Sequence, residues 1–489
     1  MNKPMSAPAL AGLLGRWAAG RGPLYRLLAA RLRALVEEGL LAPDTRLPPD
    51  RALAASLAVG RGTVVAAYDL LRDEGRLVRR QGSGTRVAPA ALPERPAAAG
   101  AAEGPFFLSM LERPPGALVL TCAAPDAPPP ELRAAFGRAA AALAGLADDI
   151  GYHPAGHPSL RAALARRFTE RGLPTGPEQI LVTNGAQQAL ALLVRCFVAA
   201  GDTVLAEAPT YPGALGVFGD AAARVTTVPV GPEGVDAAEC VRAMAERRPA
   251  LTYLVPSFQN PTGTVLPPLQ RRRIVRAAAE HGLLLVEDET LAELGFAGEV
   301  PPPMAGHPGG DRVVTVGSLS KVVWGGLRVG WIRAPRPVVD RLARTKALAD
   351  LGGDVTGQLA AHHLLGSPDW AVLRDRRRAE LAARHGRLRA ELARRLPDWT
   401  ATRAEGGQTV WVRLPRGDAA SFAQVALRRG VALLPGGVLA PGGAGDDRLR
   451  VPFLAPEETL VRAVELLAAA WGEYTGARSG AAPVSAMVV

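Results

Sequence analysis

Leu24, Leu27, Leu28, Leu32 and Leu35 recur at i, i+3, i+4, i+8 and i+11, lining one face of an amphipathic helix that Gly39 closes. The run RALAASLA predicts a second, shorter helix, Gly60-Arg61-Gly62 interrupts it, and TVVAAYDLLRDEG predicts a third. Helix, tight glycine-containing turn, helix is an arrangement whose second member can enter a DNA major groove. LVRRQGSGTRV then sets two short β-prone runs around a basic glycine turn, the pattern of a hairpin wing. Ahead of these elements, residues 7–20 form a short apolar lead-in; after them, residues 88–105 are an aperiodic Ala/Pro/Gly linker.

From about residue 118 strand-like and helix-like patterns alternate, which predicts a mostly parallel α/β sheet. An arginine-rich helical stretch, DWAVLRDRRRAELAARHGRLRAELARRL, presents what reads as a solvated charged face. GGQTVWVRL, GVALLPG and DRLRVPFLAP are then expected as strands of a smaller C-terminal α+β unit.

Composition changes the picture in two places. Residues 1–90 hold fourteen Lys or Arg against seven Asp or Glu, so much of the formal net charge of +11 sits in the segment with the helix-turn-helix pattern, pointing to a polyanionic partner. Cys122, Cys196 and Cys240 are few, scattered and odd in number, which argues against a disulfide framework and suggests buried free thiols. The seven histidines show no paired metal-ligand motif, so no metal site is expected. No apolar run is long enough for a membrane span and the N-terminus lacks a signal pattern, so a cytoplasmic protein is expected.

The chemistry centres on VVTVGSLSKVVWGGLRVGW, residues 313–331. Lysine occurs three times in the chain, at 3, 321 and 346, so Lys321 on the turn after a β-branched run stands out. An amine held at a strand's C-terminal edge can form a Schiff base with an aldehyde cofactor, and Ser318, Ser320 and Arg328 could bind a phosphate beside it. In QILVTNGAQQALALLV a β run enters a glycine turn and a helix, leaving the N–H groups at Gly185, Ala186 and Gln187 as a second phosphate site. GLLLVEDETLAELGF ends an apolar strand in acids; a carboxylate there needs a cation to meet it.

The S-x-S-K and G-G-L-R segment resembles the cofactor-lysine region of fold-type I aminotransferases, and the N-terminal ninety residues resemble a GntR-type winged helix. Together they resemble the MocR family of bacterial transcriptional regulators. The resemblance implies a winged helix-turn-helix DNA-binding domain at 21–88 and an α/β pyridoxal-phosphate-binding domain with a small C-terminal α+β subdomain at 118–476; the residues themselves read as an N-terminal extension at 1–20, a linker at 89–117 and a disordered tail at 477–489.

Carried onto this sequence, the resemblance makes Lys321 the cofactor lysine, Tyr211 the ring that stacks on the pyridine and Asn260 a donor to the phenolic oxygen. Asp288 becomes the partner of the pyridinium nitrogen and Arg450 the clamp for an α-carboxylate. Tyr152, within IGYHPAGHPSLR, would reach the cofactor phosphate of the other subunit, implying a homodimer. Arg51, Arg61 and Thr63 match DNA-contacting positions, and Arg79, Arg80, Gln81 and Gly82 match the wing. There are departures: Gly60 and Pro49 replace serines, Ala186 replaces a serine, and Thr290 and Leu291 stand where a tyrosine follows the aspartate. The expected function is a pyridoxal-phosphate-dependent transcriptional regulator that senses the cofactor or an amino compound. The alternative is an active aminotransferase carrying a DNA-binding appendage.

Overall fold

The computed structural model describes residues 5–18, 22–80, 84–88, 116–298 and 300–474. Its first unit contains α1 (Ala7–Leu14), α2 (Leu24–Glu37), α3 (Asp50–Ser56), α4 (Arg61–Asp73) and an antiparallel hairpin of β1 (Leu77–Arg80) and β2 (Gly84–Val87), with Leu77 opposite Val87. The apolar lead-in, expected as an extension outside the domain, is instead part of it. Ser6 caps α1 through the Ala9 N–H at 3.2 Å, and Leu10, Leu14 and Trp17 share one core with Leu28, Leu32, Leu53, Val64 and Leu71. An eight-residue helix is marginal alone and is stabilised by this apolar face. Pro49 and Gly60, the N-caps of α3 and α4, make no side-chain cap bond, in keeping with their replacing serines.

Beyond the linker the elements run β3 (Leu118–Leu120), α5 (Pro130–Ala142), α6 (Pro158–Glu170), β4 (Ile180–Thr183), α7 (Ala186–Phe197), β5 (Thr203–Ala208), α8 (Pro212–Asp220), β6 (Arg224–Gly231), β7 (Gly234–Val235), α9 (Ala237–Arg247), β8 (Leu251–Leu254), α10 (Pro268–His281), β9 (Leu285–Asp288), β10 (Val313–Ser318) and β11 (Gly330–Arg333). Then come α11 (Arg336–Asp350), α12 (Val355–Leu365), α13 (Asp369–Arg395), β12 (Thr400–Ala401), β13 (Thr409–Arg413), α14 (Ala419–Arg428), β14 (Val431–Pro435), β15 (Arg448–Pro452) and α15 (Glu457–Glu473).

Eight strands form one sheet in the order β4-β11-β10-β9-β8-β5-β6-β7. Neighbours from β10 to β6 pair parallel, while β11 runs antiparallel between β10 and β4. Alternate residues feed apolar clusters on both faces, with Leu181, Val204, Tyr253 and Val314 on one side and Ile180, Leu205, Leu254 and Val313 on the other. Burial on both faces is why these strands read as nearly continuous apolar runs. The second sheet, β12-β13-β15-β14-β3, is not purely C-terminal as the sequence suggests. β3 enters it beside β14, Leu118 opposite Val431, so the chain leaving the linker joins the small subdomain first. The long arginine-rich α13 is not wholly a solvated face either, since Arg378 is buried and donates to the Glu293 carbonyl at 2.8 Å.

Candidate functional site

Since β11 is antiparallel to both neighbours, β4, β10, β9, β8 and β5 all point the same way, and the sequence-derived site residues lie at their C-terminal ends. Gly185 follows β4, Tyr211 follows β5, Asn260 follows β8, Asp288 ends β9, and Ser318 to Lys321 leave β10. That edge is where parallel α/β sheets bind ligands.

The Lys321 amine is half-buried and donates to the Ala123 carbonyl at 2.6 Å. Burial pushes it below the ordinary lysine value; Arg450 acts in the same direction, and Cys122 and Asp288 oppose. Arg450, on β15, is almost fully buried and donates through Nη2 to the Thr121 carbonyl. Its Nε finds no partner among the described residues, leaving a donor for a ligand oxygen. Burial lowers this guanidinium too, although it stays charged at neutral pH. Thr121-Cys122-Ala123 therefore tethers both cations from the segment just after β3. Cys122, expected as a buried thiol, is half-buried between the tethers, whereas Cys196 and Cys240 are buried. Gln408 donates from Nε2 to the Lys321 carbonyl at 3.1 Å and steadies the same turn from the start of β13.

At the other end of the site Gly185, at φ 84°, N-caps α7, and that helix's first turn leaves N–H groups without an intrahelical partner. A Cβ on Gly185 would lie 2.9 Å from Arg328 Nη2, and one on Gly330 would lie 2.6 Å from the Gly185 carbonyl carbon, so two glycines let three segments converge. Arg328 itself donates to the Asn184 carbonyl. Ser318 Oγ lies 3.0 Å from Ser320 Oγ and 3.2 Å from the Val329 carbonyl, which fixes the two hydroxyls side by side on the turn before Lys321. The Gln187 side chain is committed elsewhere: it accepts from Tyr211 Oη at 3.1 Å and donates to the Gly213 carbonyl at 2.9 Å, fixing the Tyr211 ring. What Gln187 and Ala186 offer an anion is backbone.

Asp288 is buried and accepts from Tyr253 Oη at 2.6 Å and from the Thr290 N–H at 2.9 Å. Burial raises its carboxyl above the usual value, and these bonds and the Lys321 charge pull it back. Sequence reasoning missed Tyr253 because it sits within an ordinary apolar strand; pairing of β8 with β9, Tyr253 opposite Val286, brings it to the aspartate. It also missed Gln259, which donates to Glu207 at 3.3 Å and to the Pro209 carbonyl at 2.6 Å and so ties the loop bearing Asn260 to the loop bearing Tyr211.

Comparison with known proteins identifies the family of each part. Residues 123–467 match the family "Aminotransferase class I and II", and residues 24–87 match "Bacterial regulatory proteins, gntR family". The probable rhizopine catabolism regulatory protein MocR of Rhizobium meliloti is 33% identical over 410 residues, which is 81% of this chain and 82% of the relative. The chain belongs to the MocR-type regulators. The HTH-type transcriptional regulator TauR of Rhodobacter capsulatus is 32% identical over 86% of this chain and 90% of its own. Among solved structures, the α-aminoadipate aminotransferase LysN of Thermus thermophilus, complexed with N-(5'-phosphopyridoxyl)-L-leucine, aligns with TM-score 0.68 at 33% identity, covering 77% of this chain and 96% of that one.

As a MocR-type regulator the protein takes pyridoxal phosphate, and its residues fit the group. Among the described residues, Arg450 presents a buried unpaired N–H and the Gly185 turn an anion cradle free of side chain; at Asn260 the buried atom without a partner is the amide oxygen, an acceptor, so the expected donation to the phenolic oxygen falls to its Nδ2. On the DNA side, Arg51 and Arg61 are exposed, Arg79 is exposed on the wing strand and Thr63 is half-exposed on the first turn of α4. Arg61, expected to contact DNA, is paired with Asp50 at 2.6 Å. Arg80 ends β1, while Gln81 and Gly82 lie outside the described residues. Tyr152 is 63% exposed on the loop before α6. None of the described helices is long and apolar enough to cross a membrane.

Proposed function

We propose that this regulator works in the cytoplasm as a homodimer whose aminotransferase-like domain reads an amino acid or related amine at Lys321 and Arg450. The observation that carries this is the shared tether: the attachment amine and the carboxylate clamp hang from Ala123 and Thr121, on either side of one residue. When bound, the cofactor supplies an aldehyde that an amine can capture and a ring that draws electrons. Asp288, braced by Tyr253, holds negative charge for the ring nitrogen, and Arg450 orients the ligand's carboxylate through its free N–H. The Gly185 turn, Ser320 and Arg328 neutralise the phosphate, with Tyr152 of the second subunit completing it.

Contacts within the chain supply a route to the head. The 121–123 segment leaves β3, β3 pairs with β14, and α14 packs beside β14 in the same subdomain. From α14, Gln424 donates to the Gly15 carbonyl at 2.9 Å and Arg428 donates to the Ala58 carbonyl at 3.0 Å, gripping the end of α1 and the turn of the helix-turn-helix. With the cofactor held at Lys321, a ligand carboxylate taken by Arg450 would load the 121–123 segment that tethers both cations, biasing the small subdomain and with it the head. Leu291 and Thr290 leave the usual tyrosine hydroxyl absent from the β9 loop, which favours sensing over turnover.

The test is selection of genomic fragments by the cofactor-loaded protein and by Lys321→Ala at one fixed salt concentration. A small set of sites that changes between the two supports the reading. The second reading, an aminotransferase with an appendage, keeps support from Asp288, Lys321 and Arg450; steady turnover of an amino donor with a keto acid, with no site enriched by either protein, would establish it instead.

A further inference from the structure

His153 and His157 stand four residues apart in DIGYHPAGH, a pair spacing that the expectation of no metal-ligand motif passed over. The loop between α5 and α6 folds so that one ligand atom from each of Asp149, His153 and His157 lies within 4.8 Å of the others. Asp149 Oδ1 accepts the Gly151 N–H at 2.8 Å, which turns Oδ2 toward His153 Nε2 at 3.0 Å. Nitrogen and oxygen ligands about 2.0–2.2 Å from one tetrahedral ion stand roughly 3.3 Å apart, close to this pair's spacing. His157 is buried, its ring 5.1 Å from that of His153, and its backbone N–H is held by Gln358 Oε1 at 2.7 Å. Asp149 and His153 keep 23% and 19% of their side-chain surface, an entry path for an ion.

We infer that Asp149, His153 and His157 form a site for a divalent transition ion of the zinc class. Two imidazoles and one carboxylate are a donor set for such ions, with water in the remaining position, and too poor in oxygen to favour calcium or magnesium. Each ligand is already fixed: the carboxylate by Gly151, His157 by its place at the start of α6, and His153 by the carboxylate. Two hydrogen bonds give way on binding. The ion replaces the proton shared between His153 and Asp149. His157 Nδ1 accepts the Ser159 N–H at 3.4 Å, a long and weak cap, and a neutral imidazole cannot keep that bond while its other nitrogen binds metal; coordination trades one for the other. The loop so pinned carries Ile150 and Tyr152, which are 83% and 63% exposed. The ion therefore orders the segment offered to a second subunit, and the site stands whether or not Tyr152 reaches a cofactor.

The experiment uses tag-free, full-length, cofactor-loaded protein stripped with chelator. It is titrated with zinc chloride by calorimetry and with Co²⁺ followed by its visible ligand-field absorption. Expected are one equivalent per chain and a rise in melting temperature. Affinity should fall in His153→Gln and in Asp149→Asn by more than the roughly 10- to 100-fold that loss of a supporting hydrogen bond costs a metal site. His281→Ala, whose imidazole ends α10 beside Arg248, should bind as the parent does. Cofactor absorbance in each variant reports that it is folded. Absence of both the heat and the Co²⁺ band in the parent, or undiminished binding in the two loop variants, overturns the site.

Discussion

The head and the cofactor domain place charge in opposite ways. In the head, arginines are paired with acids near the surface, as Arg61 is with Asp50 and Arg33 with Glu74 at 2.5 Å. These partners hold Asp50 and Glu74 below the usual carboxylate range. In the cofactor domain Arg450 and Asp288 are buried and Lys321 half-buried, each held by fixed partners: Lys321 and Arg450 by carbonyls, Asp288 by a tyrosine and an N–H. Burial pushes Glu207 and Glu287 up to about 8. A surface that reads DNA must exchange partners quickly, whereas a site that positions a reactive amine must not move.

The sharpest separation comes from Lys321→Ala. Covalent attachment of pyridoxal phosphate should be abolished, with loss of the visible absorbance of the lysine-bound form, while circular dichroism of the fold persists. Next, Tyr253→Phe removes one hydrogen bond to a buried carboxylate, a change of about 1.5–3 kcal/mol. Cofactor titration should show binding weakened tenfold or more, and unchanged affinity would mean that Asp288 is oriented without Tyr253.

A smaller and opposite signature is expected of Arg61→Ala. DNA affinity should fall and the slope of log affinity against log salt should lessen by about one, with the cofactor spectrum untouched. A spectral change in that variant would break the division between the two regions.

A last difference is in pH. Glu207 has a folded value near 8 against 4.5 unfolded, so its contribution to stability is full below 4.5 and is lost as pH rises through about 8. Asp50 and Glu74, lowered by their arginines, do the reverse: their contribution is present above the unfolded values and is lost on acidification. Melting of the apoprotein should therefore weaken toward mildly alkaline pH, and Glu207→Gln should flatten that limb while leaving the acid limb in place.

Much of this was legible because it is local. Periodicity placed α2 and α4, and the scarcity of lysine singled out Lys321. The glycine turn before a helix marked Gly185, and the resemblance of their segments to those of fold-type I aminotransferases located Tyr211, Asn260 and Asp288. What escaped is long-range. Nothing in the strand LTYL marks Tyr253 as a partner of Asp288; only its pairing with β9 does. The lead-in helix α1 looked like an appendage until its leucines met α2 and α3. β3 read as the start of the large sheet, yet lies in the small one.

By itself, then, the sequence determined the class of chemistry and the order of its parts, because side-chain type, turn chemistry and apolar period are properties of short stretches of chain. Tertiary structure decided the partnerships: the tether of two cations to Thr121 and Ala123, the grip of Arg428 on the recognition turn, and the gathering of Asp149, His153 and His157. The first two depend on which side chains and carbonyls are brought within about 3 Å across long stretches of chain, a quantity set by sheet order, and the third on how one loop packs at the start of α6.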